Sequence, residues 1–154
     1  MLKYWFPLCV TLAKLQKFQM AADVALEADY VVIGGGIAGV TCAQTLSLLT
    51  RDQDTRVNIV LVTATEVVKT VTELTHLTKL LSSFNVVEKD CKSWQEENEG
   101  VKLVKGYVTD INKQNKTVTV ENFGRISYKK LCICTGGTPK LLSDHEHVLG
   151  IRDP

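Results

Sequence analysis

Several features that would point to a macromolecular partner are missing from this chain. Its 154 residues carry 18 basic and 17 acidic side chains, a formal charge of +1. The two signs are spread along the length, so there is no electrostatic footprint for nucleic acid or an anionic membrane. The N-terminal apolar run, Tyr4 to Ala13, is only about half the roughly 20 residues that a spanning helix needs. The five cysteines, Cys9, Cys42, Cys91, Cys132 and Cys134, have neither a metal-ligand spacing nor that of a small secreted disulfide scaffold. Three of them sit in apolar contexts, where Cys behaves as a small hydrophobe, and a reducing compartment is the simplest fit. The length suits one domain that buries about two-thirds of its unfolded surface, and a second full domain would not fit.

Residues 1–19 differ from the rest of the chain. Lys3, Lys14 and Lys17 appear with no acid and no arginine, and Pro7 interrupts the apolar run. Two readings stay open: a targeting peptide, a mitochondrial import signal included, or a gene-model extension ahead of a start at Met20. The second is preferred, because Met20-Ala21-Ala22-Asp23 is a plausible N-terminus just before the first strand. The domain is expected over residues 20–154.

What is present begins at Tyr30-Val31-Val32-Ile33-Gly34-Gly35-Gly36-Ile37-Ala38-Gly39. An apolar run feeding three glycines, with a fourth glycine one turn on, reads as a strand, a tight turn and a helix N-terminus. In this Gly-x-Gly-x-x-Gly pattern Gly34 takes the sharp turn, Gly36 keeps a Cβ away from an approaching pyrophosphate, and Gly39 lets the helix lie close to the strand. The free amides and positive dipole end of a helix starting near Ile37 and Ala38 would face the anion. The helix puts Val40, Ala43, Leu46 and Leu49 on one face, and Val57 to Thr63 comes next as a second strand. The whole is a βαβ unit of about 30 residues, and the expected ligand is a dinucleotide. Where an acidic residue normally holds the ribose, this chain has Thr63-Ala64-Thr65-Glu66; Thr63 and Glu66 are the candidates, weaker than a carboxylate at the strand end, or else plain loop residues.

From Val71 to Phe84 the spacing of Leu74, Leu77, Leu81 and Phe84 predicts an amphipathic helix, with His76 facing solvent. Glu88 to Gly100 reads as a surface helix and turn anchored by Trp94. Val101–Val104 is then a further parallel strand, and Tyr107–Ile111, Thr117–Val120 and Arg125–Tyr128 form an antiparallel meander. It runs into a buried strand, Leu131-Cys132-Ile133-Cys134, and a close-approach turn, Thr135-Gly136-Gly137-Thr138-Pro139. Cys132 and Cys134 read as structural strand residues, and His145 and His147 as a solvated loop, so no metal is expected. The fold class is α/β: a Rossmann-like parallel sheet with an antiparallel β-meander.

The order strand, Gly34–Gly39, helix, strand, meander and Thr-Gly-Gly-x-Pro turn resembles the N-terminal FAD-binding portion of the flavoprotein pyridine nucleotide-disulphide oxidoreductases. The resemblance covers nearly all of residues 29–154. It implies that Gly34, Gly36 and Gly39 meet the FAD pyrophosphate, that Thr135 and Gly136 sit against the cofactor, and that Lys69 approaches the flavin ring. It also implies an NAD(P)H oxidoreductase linked to oxidative-stress protection, in nucleus and cytoplasm, with no protein partner specified. Two departures matter: Thr63 to Leu80 lacks the family's Cys-four-residues-Cys pair, so dithiol relay chemistry is not expected, and Lys129 replaces an acidic residue after the meander tyrosine. Family members continue past the region of Arg152 into a NAD(P)H domain and return to the FAD domain, so the chain is expected to be incomplete as an enzyme. The rival readings are a non-catalytic binding module and a plain NAD(P)-binding domain; the turn at Thr135-Gly136-Gly137 argues against the latter.

Overall fold

The computed structural model describes residues 24–51, 56–79 and 82–137. The leader and the Met20 start, the Asp52–Asp54 turn, Leu81, Thr138, Pro139, His145, His147 and the tail beyond them lie outside these residues. The described elements, in chain order, are β1 (Val24–Ile33), α1 (Ile37–Thr50), β2 (Ile59–Thr63), β3 (Val67–His76), β4 (Ser82–Asp90), α2 (Cys91–Glu97), β5 (Val101–Lys105), β6 (Val108–Asn112), β7 (Thr117–Val120) and β8 (Gly124–Ile133).

Six strands form one sheet in the order β5-β2-β1-β8-β7-β6, and β3 and β4 form a separate pair. β1 runs parallel to β2 on one side, from Tyr30 opposite Ile59 to Ile33 opposite Val62, and parallel to β8 on the other, ending with Ile33 opposite Ile133. β5 continues the parallel part beside β2. β7 pairs antiparallel with β6 on one side and β8 on the other, the expected meander. A right-handed helical crossover is the usual way to join parallel neighbours, and α1 occupies that place between β1 and β2.

Alternation sorts the core onto two faces. Val31, Ile33, Val60, Val62 and Val104 join Val118, Val120 and Ile126 of the meander in one cluster. Val32, Ile59, Leu61 and Val101 point the other way and pack with Val40 and Ala43 of α1, Val68 of β3 and Trp94 of α2. All five residues of β2 are buried, which is why its sequence, Ile-Val-Leu-Val-Thr, is apolar without alternation. Trp94 is completely buried and does anchor its short helix; its indole N–H has no partner among the described residues. Asp90 caps that helix, its carboxylate accepting from the Lys92 and Ser93 amides and the Ser93 hydroxyl.

Four expectations need correction. The helix read over Val71 to Phe84 is instead the β3–β4 hairpin, paired from Val67 opposite Asp90 to His76 opposite Ser82. Val67, Val68, Thr70, Val71, Thr72 and Thr75 are β-branched, which favours strand, and Leu74, Leu77 and Phe84 are about half exposed or more, so their spacing marks no helical core face. The first strand starts at Val24, well ahead of Tyr30, because its early half pairs with β8 alone, from Val24 opposite Arg125 to Ala28 opposite Tyr128. Leu49 is 72% exposed, so the α1 face on the sheet is made by Gly39, Val40, Ala43 and the partly buried Leu46 without it. The runs at Arg125 and Leu131 are one strand, and its end is only half-buried, with Ile133 60% exposed.

Candidate dinucleotide-binding turn

Crevices that take ligands in open α/β sheets lie at the carboxyl ends of the strands, where neighbouring strands are connected in opposite directions. Here that place is the end of β1, between β2 and β8. Ile33 is followed by Gly34, whose N–H donates to the Val62 carbonyl at 2.8 Å, while the Cys134 N–H donates to the Ile33 carbonyl at 2.7 Å. The turn is thereby tied to both neighbouring strands.

Its glycines divide by what their missing side chains would meet. Gly34 has φ +120°, and a Cβ there would lie 2.4 Å from the Cys134 carbonyl oxygen. At Gly39 a Cβ would lie 1.9 Å from the Gly34 carbonyl oxygen, so this glycine sets how closely α1 approaches the turn. At Gly35 a Cβ would strike the Thr63 hydroxyl at 2.3 Å. Gly36 is different: nothing of the protein lies within 4 Å of its Cβ position. Internal packing therefore explains glycine at 34, 35 and 39 and does not explain it at 36. An open face at Gly36 fits a close-lying phosphate that a side chain would push away.

Gly36 is also the N-cap of α1, in extended conformation with no side-chain cap. The amides of Ile37, Ala38 and Gly39 precede the first intrahelical bond, which Val40 N–H makes to the Gly36 carbonyl at 3.0 Å. Ala38 is exposed and Ile37 half-buried. A helix end of this kind offers several N–H donors and the positive end of the helix dipole to an anion.

The other candidates surround this turn at different distances from usefulness. Thr63 ends β2 and is 1% exposed; its hydroxyl sits under Gly35 and exchanges contacts of 3.3 Å with the hydroxyl and amide of Thr65. The exposed polar side chains at that strand end are Thr65 and Glu66. Glu66 pairs with Lys105, which holds its carboxyl below the usual range by hydrogen bond first and charge second. Lys69 reaches the turn by its backbone, its N–H donating to the Gly35 carbonyl at 2.9 Å, while its ammonium pairs across the hairpin with Glu88 at 3.1 Å. Thr135 and Gly136 come directly after β8 and are exposed, with Gly136 at φ +73°. The structure thus brings the glycine turn, the α1 N-terminus and the Thr135–Gly136 segment together, with β3 entering beside them.

Sequence reading missed three participants. Gly35 is set by Thr63, a contact that glycine spacing does not reveal. Lys129 pairs with Asp29 at 2.6 Å, and Asp29 also accepts from the Asn58 N–H at 2.8 Å, joining the middle of β8 and of β1 to the start of β2. Cys42 lies on the same α1 face as Gly39 and meets Cys132. Only its three-residue offset from Gly39 hinted at this. Among the described residues no group of three or more His, Cys, Asp or Glu is arranged to hold a metal ion, and no helix is long and apolar enough to cross a membrane.

Comparison with known proteins agrees with this geometry. A family model described as pyridine nucleotide-disulphide oxidoreductase matches residues 28–151. Proteins named pyridine nucleotide-disulfide oxidoreductase domain-containing protein 1 are similar: that of Danio rerio is 38% identical over 82% of this chain and 25% of its own length, and that of Homo sapiens 38% over 80% and 24%. The protein of that name from Dictyostelium discoideum is 32% identical over 80% of this chain and 22% of its own. The chain therefore spans about a quarter of the length of the curated relatives it matches. Among solved structures, the NADH:rubredoxin oxidoreductase of Clostridium acetobutylicum aligns over 77% of this chain and 31% of its own, with TM-score 0.46 and 20% identity, too loose a match to bear on function. With a family model covering most of its length, the chain belongs to the pyridine nucleotide-disulphide oxidoreductase family.

Proposed function

We propose that this chain forms the pyrophosphate-binding side of an FAD site in an FAD-dependent NAD(P)H oxidoreductase. The observation that carries the reading is the open face at Gly36, directly at the uncapped start of α1. The amides of Ile37, Ala38 and Gly39 would take the pyrophosphate, Gly34 and Gly39 would keep the turn tight enough to present them, and Thr135 and Gly136 would close the opposite side. Glu66, with Thr63 supporting the turn beneath it, is the candidate toward the adenosine ribose, and Lys69 toward the flavin. When bound, FAD would supply hydride acceptance from the nicotinamide; the protein's part is orientation and electrostatics.

The enzyme would work without a dithiol relay beside the flavin. In support, the segment after β2 where the family's cysteine pair belongs forms β3, whose sequence holds no cysteine. By resemblance we also place the protein in the response to oxidative stress, in nucleus and cytoplasm; a fluorescent fusion of the chain, with and without residues 1–19, tests the compartment.

Titration of the purified chain with FAD, followed by flavin fluorescence, tests the cofactor. Weak binding is expected from these 154 residues alone, because the described site covers one side of a dinucleotide; each 100 Å² of apolar surface left open is worth about 2.5 kcal/mol. Gly36→Val should abolish that binding while the chain stays folded, its melting temperature lowered by at most a few degrees for the poorer N-cap. Equal affinity in the variant would refute the site.

A further inference from the structure

Outside the glycine turn, three cysteine thiols come together. The Cys132 sulfur lies 3.4 Å from that of Cys134 and 3.8 Å from that of Cys42, which comes from α1, 90 positions earlier in the chain. All four described cysteines are free thiols and partly buried, so solvent reaches the cluster. Cys134 directly follows β8, and extended chain from Cys132 puts both sulfurs together on the side where Cys42 of α1 meets Cys132. The cluster also flanks the turn: the Cβ of Cys134 is 3.4 Å from the position a Gly39 Cβ would take, and its backbone contacts Gly34 and Ile33.

We propose that this cluster is a site of reversible oxidation, in which hydroperoxides convert Cys42 and Cys132 to a disulfide that fastens α1 to β8 beside the dinucleotide-binding turn. Cys132 is the sulfur in contact with both others and is assigned the first step. Its thiolate attacks the peroxide; an S–O bond forms, the O–O bond breaks, and the departing hydroxide or alkoxide takes up a proton. The Cys42 sulfur then attacks the sulfenic sulfur of Cys132; the S–S bond forms, the S–O bond breaks, and water leaves. Two thiols lose two electrons and two protons, and the peroxide is reduced to water and, if organic, an alcohol.

Geometry selects Cys42 over Cys134 as the lasting partner. Cys132 and Cys134 are two positions apart on extended chain, which separates their Cα atoms by about 6.4–6.8 Å. That is the far edge of what a disulfide accepts, roughly 4.4–6.8 Å, and Ile133 between them has no slack to give. A helix and a strand packed side by side have more freedom to bring the two sulfurs, 3.8 Å apart, to a bond of about 2 Å. Burial pushes the Cys42 and Cys134 thiols up, Cys134 to about 11, and the hydrogen bond and charge of Cys132 push both further. Both therefore remain protonated at neutral pH, so the Cys42 proton has to leave as its sulfur attacks, passing to the departing hydroxyl, which leaves as water. The effect on cofactor affinity rests on the proposed FAD site; formation of the bond does not.

The test treats the reduced 154-residue chain, without cofactor, with a small excess of hydrogen peroxide, alkylates the remaining thiols and reads masses and fragment spectra. A loss of two hydrogens, with the Cys42 peptide joined to Cys132 and both restored by dithiothreitol, is expected. Cys132→Ser, and Cys132→Ala as a second variant, should abolish the bond, and Cys134→Ser should retain it. Circular dichroism of each reduced variant reports whether it has folded. A bond that survives in both Cys132 variants, one formed only with Cys9, Cys91 or a second molecule, or oxidation that stops at separate sulfinic acids would each overturn the proposal. Failure of FAD to bind leaves this result untouched.

Discussion

The six-stranded sheet and the β3–β4 hairpin are both extended chain held by different forces. In β2 every residue is buried between two parallel neighbours, whereas β4 is exposed over almost its whole length. The sheet is fixed by apolar burial on both faces. The hairpin depends on its backbone ladder and on its base, where Val68 and Thr70 are buried and the Cys91 N–H donates to the Glu66 carbonyl at 2.9 Å. A lone two-stranded ribbon is marginal in water, so the packed base does most of the holding. Burial thus fades from the root of the hairpin, beside the glycine turn, to its tip at Leu74, Leu77 and Phe84.

The largest expected effect comes from the residue both regions share. Trp94→Ala empties a fully buried site in the cluster that also holds Val68 of the hairpin and Val32, Leu61 and Val101 of the sheet side, and should cost about 3–5 kcal/mol in urea denaturation. A loss under about 1 kcal/mol would mean that the hairpin and α2 contribute little to the sheet.

A smaller effect belongs to the sheet alone. The Asp29 carboxyl, one-fifth exposed, is held below its ordinary range, first by the hydrogen bond from Lys129 and then by the Asn58 amide. A lowered carboxylate pKa stabilises the fold fully above the unfolded value of about 3.9, and the contribution disappears as pH falls through the lower folded value. Asp29→Asn should therefore lower the melting temperature by a few degrees at pH 7, and the gap to the wild type should narrow below about pH 4. A gap independent of pH would assign the loss to the altered hydrogen bond with Asn58. Lys129 is 80% exposed, so its own share is small.

The smallest effect belongs at the hairpin tip. Phe84→Ser or Leu74→Ser should shift stability by no more than about 0.5 kcal/mol, because both side chains are half exposed already. A drop of about 2 kcal/mol or more would show that the tip is packed against something in solution, and the contrast between sheet and hairpin would fail.

How legible each part was depends on where its forces originate. The turn Gly34–Gly39 could be read because steric demands act within a few residues, and β2 and the meander because their apolar runs are contiguous. The hairpin was misread because Leu74 and Leu77, spaced like a helix face, are more than half exposed; its strand signal lay in Val67, Val68, Thr70, Val71 and Thr72 instead. Thr63 was recognisable as the end of β2, but that its hydroxyl lies beneath Gly35 depends on how two strand ends meet.

The sequence by itself determined the strand–turn–helix unit, the places of the polar turns and the glycine identities that local backbone geometry requires. Tertiary structure decided the order β5-β2-β1-β8-β7-β6, the exposure of the β8 end and the meeting of Cys42 with Cys132 across 90 positions. It also separated Gly36, open to a ligand, from Gly34, Gly35 and Gly39, filled by the protein. The physical reason is range: turn sterics and strand propensity act between neighbours in the chain, while burial, side-chain contact and open space are properties of segments brought together only by packing.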